Sequence, residues 1–317
     1  MAALYQVYSD WLKDRYGEKV YKIPVNIPVT CPNRDGTLGC GGCIYCGEKG
    51  GGHENMSDRV PIATQISETI EKIEKKYKAH RFIIFFQSFS NTYLPIVEFK
   101  SYIGQALCCD QIVGLAIATR PDCIFEEQLE FLKDIQRKHH IDICIELGLQ
   151  TANDRTLKKI NRGHGLGDYI FAANLVKKFG FQLCTHVILD LPWDDPQDVI
   201  TTAEVVSAVG SDFVKCHALY VEKHTILNDL LSTGEIQLYD EDEYLRRCIL
   251  FLEHLDPQIV LQRVIGRAPQ SDSVITNWHT SWWKLLEEWE AGMDQAGYVQ
   301  GCLCDYLNGA ALTRAGL

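Results

Sequence analysis

The sequence lacks long apolar runs. No stretch of 18 apolar residues occurs in the 317-residue chain, and the first twenty residues carry charges where a signal peptide has its apolar core. These two absences argue against a membrane-spanning or secreted protein. We therefore expect a cytoplasmic chain with no membrane partner.

Basic residues are scarce in the second part of the chain. Residues 181–317 contain 8 Lys and Arg against 21 Asp and Glu, whereas residues 1–180 contain 23 against 21, and the formal net charge is −11. Only the first part offers a polyanion such as RNA a favourable surface. The candidate basic runs are Lys72 to Arg81, Arg137 to His140, Lys158 to Arg162 and Lys177 to Lys178. Each could equally be a solvent-exposed helix face without a partner.

Cysteine, in contrast, is abundant. The chain has 13 cysteines and no recognisable secretory signal, so a reducing compartment is expected and isolated thiols should lie in the core rather than in disulfides. Seven cysteines in or beside apolar runs are assigned to the core in this way: Cys108, Cys109, Cys123, Cys144, Cys184, Cys216 and Cys248. Cys302 and Cys304 receive no assignment.

Four further cysteines, Cys31, Cys40, Cys43 and Cys46, lie within sixteen residues of one glycine-rich loop. Such a cluster predicts a metal site. Four thiolates would close a structural zinc site, whereas three would hold an iron-sulfur cluster with one open position. The number of cysteine ligands therefore separates a structural protein from a reactive enzyme.

Short β-rich runs alternate with longer helical runs, a pattern typical of βα units around a parallel sheet. The predicted strands are residues 20–29, 82–88, 112–119, 142–150, 182–190, 212–220 and 258–265. The predicted helices are residues 64–78, 96–108, 125–138, 154–160, 168–179, 197–208 and 241–254. Nothing interrupts this alternation before residue 267, so we predict one domain over residues 1–267 and a C-terminal helical cap over residues 268–317.

The predicted strands alternate between polar and apolar residues. In residues 142–150 one face carries Asp142, Cys144, Glu146, Gly148 and Gln150, and the strands at 182–190 and 212–220 repeat the pattern. Central strands of a doubly wound sheet would instead be apolar on both faces. The alternation predicts an open or partial (β/α) barrel with a polar lumen, although hydrogen-bonded polar residues within an ordinary core remain the alternative.

The cysteine loop directly follows the first predicted strand and ends in Cys43-Ile44-Tyr45-Cys46, with an aromatic residue before the last cysteine. In these features the chain resembles the radical S-adenosylmethionine (SAM) superfamily. The resemblance implies an α/β fold, a partial (β/α)6-type barrel with a C-terminal helical extension. It also implies a [4Fe-4S] cluster on three cysteines, with S-adenosyl-L-methionine bound at the fourth iron and cleaved to a 5′-deoxyadenosyl radical in a shielded lumen.

The CxxxCxxC spacing common in that superfamily is absent, and two ligand sets remain. Cys43 and Cys46 are joined either by Cys31 or by Cys40. We favour Cys31, because it lies at the end of the strand and begins a CPNR turn, whereas the glycines around Cys40 suggest a flexible insertion.

Seven further segments resemble one branch of the superfamily, the small proteins of the MnmL/YtqA type that are related to the catalytic subunit of Elongator. The segments are RYGEKVYKI, CPNRDGT, FQSFSNTY, IATRPDC, ELGLQTANDRTLKKINRGH, VKCHALYVEKHT and LQRVIGRAP. The resemblance implies cofactor-binding roles for Tyr45, Gln87, Ser88, Asn91, Glu146, Gln150, Arg162 and His164. Each could instead cap a turn, and Asn91 and Asn161 in particular could hold loops.

The branch also implies a substrate, the wobble uridine of tRNA, whose carboxymethylaminomethyl side chain would be processed toward aminomethyl. The uridine would be flipped into the lumen. The residues expected to meet it there are His186, Asp190, Lys215, His217 and Tyr220, with Gln262 and Arg263 from the last strand. An external electron donor of the flavodoxin or ferredoxin type is expected, and a chain of this length is not expected to carry an acetyltransferase domain.

Two alternative functions remain open from the sequence. The first is a radical SAM enzyme that acts on a small molecule or a protein. The second is a zinc-stabilised RNA-binding scaffold, which would use all four loop cysteines.

Overall fold

The computed structural model describes residues 4–52, 55–266, 273–275 and 277–305. The strands in these residues are β1 (Val20–Val25), β2 (Arg81–Phe86), β3 (Ile112–Thr119), β4 (Asp142–Gln150), β5 (Gln182–Ile188), β6 (Phe213–His217), β7 (Val221–Glu222), β8 (Val260–Arg263) and β9 (Ser273–Ile275). The helices are α1 (Tyr8–Tyr16), α2 (Ile62–Tyr77), α3 (Ile96–Ala106), α4 (Glu126–His139), α5 (Asp154–Lys159), α6 (Leu166–Lys178), α7 (Pro196–Ala208), α8 (Ile226–Ser232), α9 (Glu241–His254) and α10 (Trp282–Ala296).

Seven strands form one parallel sheet in the order β1-β2-β3-β4-β5-β6-β8. The sheet curls into an open half-barrel, because the two edge strands approach each other across the lumen. Lys22 Nζ of β1 lies 2.7 Å from Gln262 Oε1 of β8. The predicted α/β partial barrel is therefore confirmed, and each of its seven predicted strands is present.

The strand register explains why the lumen is polar. Gly148 of β4 pairs with His186 of β5, His186 pairs with Lys215 of β6, and Lys215 pairs with Arg263 of β8. Aligned side chains of a parallel sheet point to the same face. The opposite face of β4 is apolar and fully buried under the helices, as the sequence alternation predicts.

Helix α1 closes the amino end of the lumen. It packs Leu12 and Trp11 against small and aromatic residues on the inner face of the sheet, and the Trp11 ring meets the Phe213 ring edge-on at 4.8 Å. At the end of the helix, the Tyr16 hydroxyl donates to the Asp142 carboxylate at 2.7 Å. The space left in the lumen therefore lies toward the carboxyl ends of the strands.

The C-terminal helices pack on the same core as the barrel. Trp289 of α10 is 1% exposed and contacts the Tyr5 ring at 5.1 Å, and Gln300 donates to the carbonyl of Ile259. The predicted boundary at residue 267 and the end of the predicted cap, residues 306–317, lie outside the described residues. None of the described helices is both long enough and apolar enough to span a bilayer.

Candidate active site

The carboxyl ends of the strands enclose a cavity of about 310 Å³. Its wall is formed on one side by the loop after β1 and on the other by lumen side chains of β4, β5, β6 and β8. This is the edge of a parallel barrel at which enzymes carry their reactive groups.

Three of the four loop cysteines line this cavity. Cys31 and Cys43 are buried and Cys46 is partly buried, and all three contribute to the wall. Cys40 is exposed and lies in a turn whose backbone bridges to Asp35, outside the cavity wall.

The segment after α5 holds the cysteine loop in place. Asn161 adopts a left-handed backbone conformation with φ of 52°, and its side chain donates to the Gly42 carbonyl at 2.8 Å. Asn33 donates in return to the Asn161 carbonyl at 2.5 Å. Asn161 therefore holds a loop, the role that the sequence left open for it.

Each cavity cysteine faces an arginine. Arg34 Nη1 lies 3.5 Å from Cys46 Sγ, Arg162 Nη1 lies 3.5 Å from Cys43 Sγ, and Arg120 Nη1 lies 3.9 Å from Cys31 Sγ. Arg120 and Arg162 are both buried. Arg120 already pairs with Asp122, with 2.7 Å between Nη2 and Oδ2. Arg162 pairs with no described carboxylate, so its buried charge beside the thiols suits a negatively charged, thiolate-bound metal cluster.

Two further observations agree with a bound group at this position. Arg162 Nε is buried and has no hydrogen-bond acceptor among the described residues. Gly148 leaves room for the guanidinium, since a Cβ at this position would lie 2.6 Å from Arg162 Nη2. The donor set and the space therefore fit an iron-sulfur cluster.

The predicted cofactor-binding residues divide into two groups. Tyr45, Gln87, Glu146, Gln150 and Arg162 line the cavity. Ser88, Asn91 and His164 do not line it.

The residues of the second group shape the surrounding loops. Asn91 Nδ2 donates to the carbonyls of Phe86 and Ala118, and so joins the ends of β2 and β3. Ser88 Oγ accepts from Asn55, and burial lowers the pKa of His164 to about 3. The cofactor-binding roles of Ser88, Asn91 and His164 stay predictions, and the structure places none of the three on the cavity wall.

Glu146 is the centre of a buried polar network. Its Oε1 lies 2.6 Å from Lys22 Nζ, and its Oε2 lies 2.5 Å from Lys215 Nζ and 2.8 Å from His186 Nε2. Burial opposes ionisation, but Lys215 and Lys22 hold the pKa of Glu146 well below its usual range. These partners group Glu146 with the lumen side chains rather than with the predicted contacts to SAM.

The network continues from Glu146 to the last strand. His186 Nδ1 lies 3.3 Å from His217 Nε2, and His217 Nδ1 lies 2.8 Å from Arg263 Nη2. Burial lowers the pKa of His186 to about 4 and that of His217 well below its usual value. Both imidazoles are therefore neutral at pH 7.

Among the residues predicted to meet the substrate, His186, Lys215, His217 and Tyr220 line the cavity. Asp190 does not, because its carboxylate accepts from the backbone N–H of Leu219 at 2.8 and 3.1 Å. Burial raises the pKa of Asp190 to about 7. Asp190 thus orients the loop after β6 instead of facing the lumen.

The sequence did not identify Lys22, Arg34 and Arg120 as site residues. Arg34 and Arg120 follow strands within the segments CPNRDGT and IATRPDC, and this position at the carboxyl ends was the available signal. The signal for Lys22 was a different one: it is an isolated cation within the first predicted strand.

A three-cysteine loop after the first strand of an open parallel barrel defines the architecture of a radical SAM enzyme. Residues 25–206 match the family model of the radical SAM superfamily, and residues 211–295 match the radical SAM C-terminal domain. The chain belongs to the radical SAM superfamily.

Relatives of nearly the same length are similar to almost the whole chain. The uncharacterized protein MJ0486 of Methanocaldococcus jannaschii is 33% identical over 94% of this chain and 92% of its own length. The uncharacterized protein YtqA of Bacillus subtilis is 29% identical over 94% and 92%. These matches confirm the predicted branch.

Two other matches cover proteins that are longer than this chain. The structure of Methanocaldococcus infernus Elp3, with an N-terminal deletion, has a TM-score of 0.66 and 18% identity, over 89% of this chain and 64% of that one. The tRNA uridine(34) acetyltransferase of Methanocaldococcus jannaschii is 29% identical over 41% of this chain and 24% of its own length. The structural match establishes a shared fold.

Family membership confirms the prediction of an enzyme and of its two cofactors, a [4Fe-4S] cluster and SAM. When bound, the cluster supplies the electron that cleaves SAM to a 5′-deoxyadenosyl radical. A zinc-stabilised scaffold is therefore not the function of this chain. The choice of cysteine ligands stays a prediction.

Proposed function

We propose that this radical SAM enzyme modifies the C5 side chain of the wobble uridine of tRNA, in a step of the carboxymethylaminomethyl-to-aminomethyl type. The observation that carries the proposal is one continuous cavity, with thiols and arginines at its mouth and an acid-base network in its lumen. The partial sequence similarity to a tRNA uridine(34) acetyltransferase supports the choice of a wobble uridine.

In this proposal the mouth of the cavity holds the cofactors. Cys31, Cys43 and Cys46 ligate the cluster, and the adjacent Arg34 and Arg162 balance its negative charge, while Arg120 is paired with Asp122. Tyr45, Gln87 and Gln150 border the same space and contact SAM. Ser90, whose buried hydroxyl has no partner among the described residues, is a further donor at this wall.

The lumen receives the uridine. Because α1 closes the amino end, the base enters from the carboxyl edge and must leave its stack in the anticodon loop. Phe89 and Tyr220 line the entrance and supply aromatic faces on which a flipped base can stack. His186, Lys215 and His217 then surround its C5 substituent. One water would cleave the carbon–nitrogen bond of the carboxymethyl group, which would leave as glyoxylate, and the two electrons released would go to SAM, which ends as methionine and 5′-deoxyadenosine.

Nucleoside analysis tests this proposal. Bulk tRNA from a strain that lacks the protein is digested and its wobble uridines are measured by mass spectrometry. We expect carboxymethylaminomethyluridine to accumulate, and we expect wild-type protein but not Cys43→Ala to reverse this. An unchanged wobble-uridine profile would refute the RNA substrate.

A small-molecule substrate is the second candidate. It is favoured by the acidic character of residues 181–317, which make up much of the later lumen strands and helices and which repel a polyanion. In that case the metabolite profile of the strain that lacks the protein would differ from that of the wild type, while the tRNA nucleosides of the two strains would be the same.

A further inference from the structure

The floor of the lumen, formed by Lys22, Glu146, Lys215 and Arg263, contains more positive than negative charge, and all four side chains are buried or partly buried. Lys22 and Lys215 both bind the single carboxylate of Glu146. Arg263, the third cation, forms no ion pair with any described acidic residue and instead contacts His217. Glu222, the other carboxylate on the cavity wall, lies against Gly47 in the cysteine loop.

The two histidines add no charge to this count. Arg263 Nη2 lies 2.8 Å from His217 Nδ1 and 3.3 Å from His217 Nε2. An arginine can only donate, so we assign Nδ1, at the shorter distance, as the acceptor and place the proton of His217 on Nε2. His217 Nε2 then donates to His186 Nδ1, which leaves the proton of His186 on Nε2, where Glu146 accepts it. The hydrogen-bond chain fixes both imidazoles as neutral tautomers.

The remaining ionisable groups near the floor do not neutralise its excess positive charge either. Burial raises the pKa values of the Cys144 and Cys184 thiols and of the Tyr8 hydroxyl, so all three are neutral. The Asp190 carboxylate is turned to the backbone of Leu219. Three cations thus face one carboxylate in the described lumen.

Two buried donors on neighbouring residues of β8 lack an acceptor among the described residues; Arg263 lines the cavity, and Gln262 contacts Lys22. They are Arg263 Nε and Gln262 Nε2. The amide of Gln262 cannot turn over to hide its nitrogen, because its Oε1 already accepts from Lys22. Gly266 leaves space beside the guanidinium, since a Cβ there would lie 3.1 Å from Arg263 Cζ.

We propose that Arg263, Lys215 and Gln262 form a carboxylate-binding site that selects the substrate. A carboxylate neutralises the surplus charge and accepts from the unpartnered donors, and a guanidinium binds it in a planar, charge-assisted pair. This inference rests on the proposed function for its substrate: the carboxymethylaminomethyl group ends in a carboxylate, which would enter the lumen ahead of the base.

The test measures binding to the cofactor-reconstituted enzyme by calorimetry. The first probe is an anticodon stem-loop RNA with carboxymethylaminomethyluridine at the wobble position, compared with its neutral methyl ester. We expect the acid to bind at least tenfold more tightly than the ester. Arg263→Gln and, independently, Lys215→Gln should reduce this preference to within threefold.

The matched control is Arg246→Gln, which removes the same charge from an exposed side chain on α9 that pairs with Glu243. It should keep the full preference. Thermal unfolding of each variant identifies any that fails to fold, and the inference then rests on the other lumen variant.

A second probe separates this inference from the proposed function. N-benzylglycine and its methyl ester carry the same carboxylate contrast without any nucleoside. If the acid is preferred here and the preference is lost in Arg263→Gln, while no stem-loop binds, the carboxylate site stands and the RNA proposal falls. Equal binding of acid and ester for both probes, or a preference that survives both lumen variants, would overturn the inference.

Discussion

At the scale of single residues, burial distinguishes two cysteines that the sequence pattern leaves as alternatives. Cys31 lies at the cavity wall beside Arg120, whereas Cys40 lies in an exposed turn. Spacing narrows the ligands to two sets, but the choice between them depends on the path of a glycine-rich loop. Residue order does not encode that path, because glycine allows many backbone conformations.

The first prediction concerns these ligands. Replacement of Cys31, Cys43 or Cys46 by Ala should abolish the iron and sulfide content of anaerobically purified protein, because three thiolates are needed to hold the cluster. Cys40→Ala serves as the matched control and should retain about four irons per chain. Loss of iron in Cys40→Ala together with normal iron in Cys31→Ala would reverse the assignment.

The second prediction concerns Lys215. Burial lowers the pKa of Lys215 to about 8, and Glu146 opposes that shift. The ammonium is charged below this value and loses its charge as the pH rises through it. Binding of N-benzylglycine should therefore weaken about tenfold between pH 7 and pH 9.

Several groups around Lys215 could contribute to such a pH profile. They are Glu146, Lys22, Cys184, Arg263 and His186. The Phe85 ring, whose centroid lies 4.2 Å from Lys215 Nζ, does not titrate. None of the others has a pKa near 8, so Lys215→Gln should bind weakly at every pH and show no step. A step of the same size in Lys215→Gln would assign the titration to another group.

At the scale of helices and strands, alternation predicted the barrel well because period-two polarity directly reports which face of a strand is buried. It also placed His186, Lys215 and His217 on the lumen, whereas Arg263 was expected there only from the family resemblance. The same rule misplaced Asp190, because β5 ends at Ile188 and the alternation no longer applies beyond it. Arg34 and Arg120 were missed for the related reason that loop side chains follow no period.

Helix α1 was not predicted at all, although it closes the lumen. Its residues mix charges and aromatics, with one buried leucine, and the helix depends on contacts with distant strands. Arg15 and Tyr16 both bind Asp142, at the start of β4. Such long-range contacts determine the conformation of a segment whose own pattern is weak.

The third prediction tests this helix. Trp11→Ala should lower the free energy of unfolding by roughly 3 kcal/mol, because it removes an aromatic ring packed against Phe213 and Tyr8. Trp283→Ala is the control, since this side chain of α10 is 54% exposed and its loss should change stability by less than about 0.5 kcal/mol. Denaturant unfolding measures both, and equal effects would mean that α1 does not seal the barrel.

At the scale of the whole molecule, the fold shows which of the basic runs lies beside the cavity. Helix α5 follows β4 at the carboxyl edge, where the cavity opens, and Lys158 and Lys159 on it are exposed. Lys75 and Lys76 are also exposed, but they lie at the end of α2, beside the amino ends of the strands and away from the cavity. The sequence identified both runs as basic but could not tell which one borders the site.

The fourth prediction compares these two lysine pairs. Lys158→Glu with Lys159→Glu should weaken tRNA binding at least tenfold at 100 mM salt and reduce the salt dependence, because two phosphate contacts are lost. Lys75→Glu with Lys76→Glu changes the net charge equally and should bind nearly as wild type does. Equal losses in the two variants would indicate a general charge effect rather than a docking surface.

The central claim is that the three-cysteine cavity performs radical chemistry on a wobble uridine. Its most direct test incubates anaerobically reconstituted enzyme with SAM, a reductant and tRNA that carries carboxymethylaminomethyluridine, and then measures nucleosides and 5′-deoxyadenosine together by mass spectrometry. We predict that aminomethyluridine appears with 5′-deoxyadenosine, and that neither forms with Cys43→Ala. If 5′-deoxyadenosine forms at the same rate with and without tRNA while the nucleosides stay unchanged, the proposed substrate is contradicted.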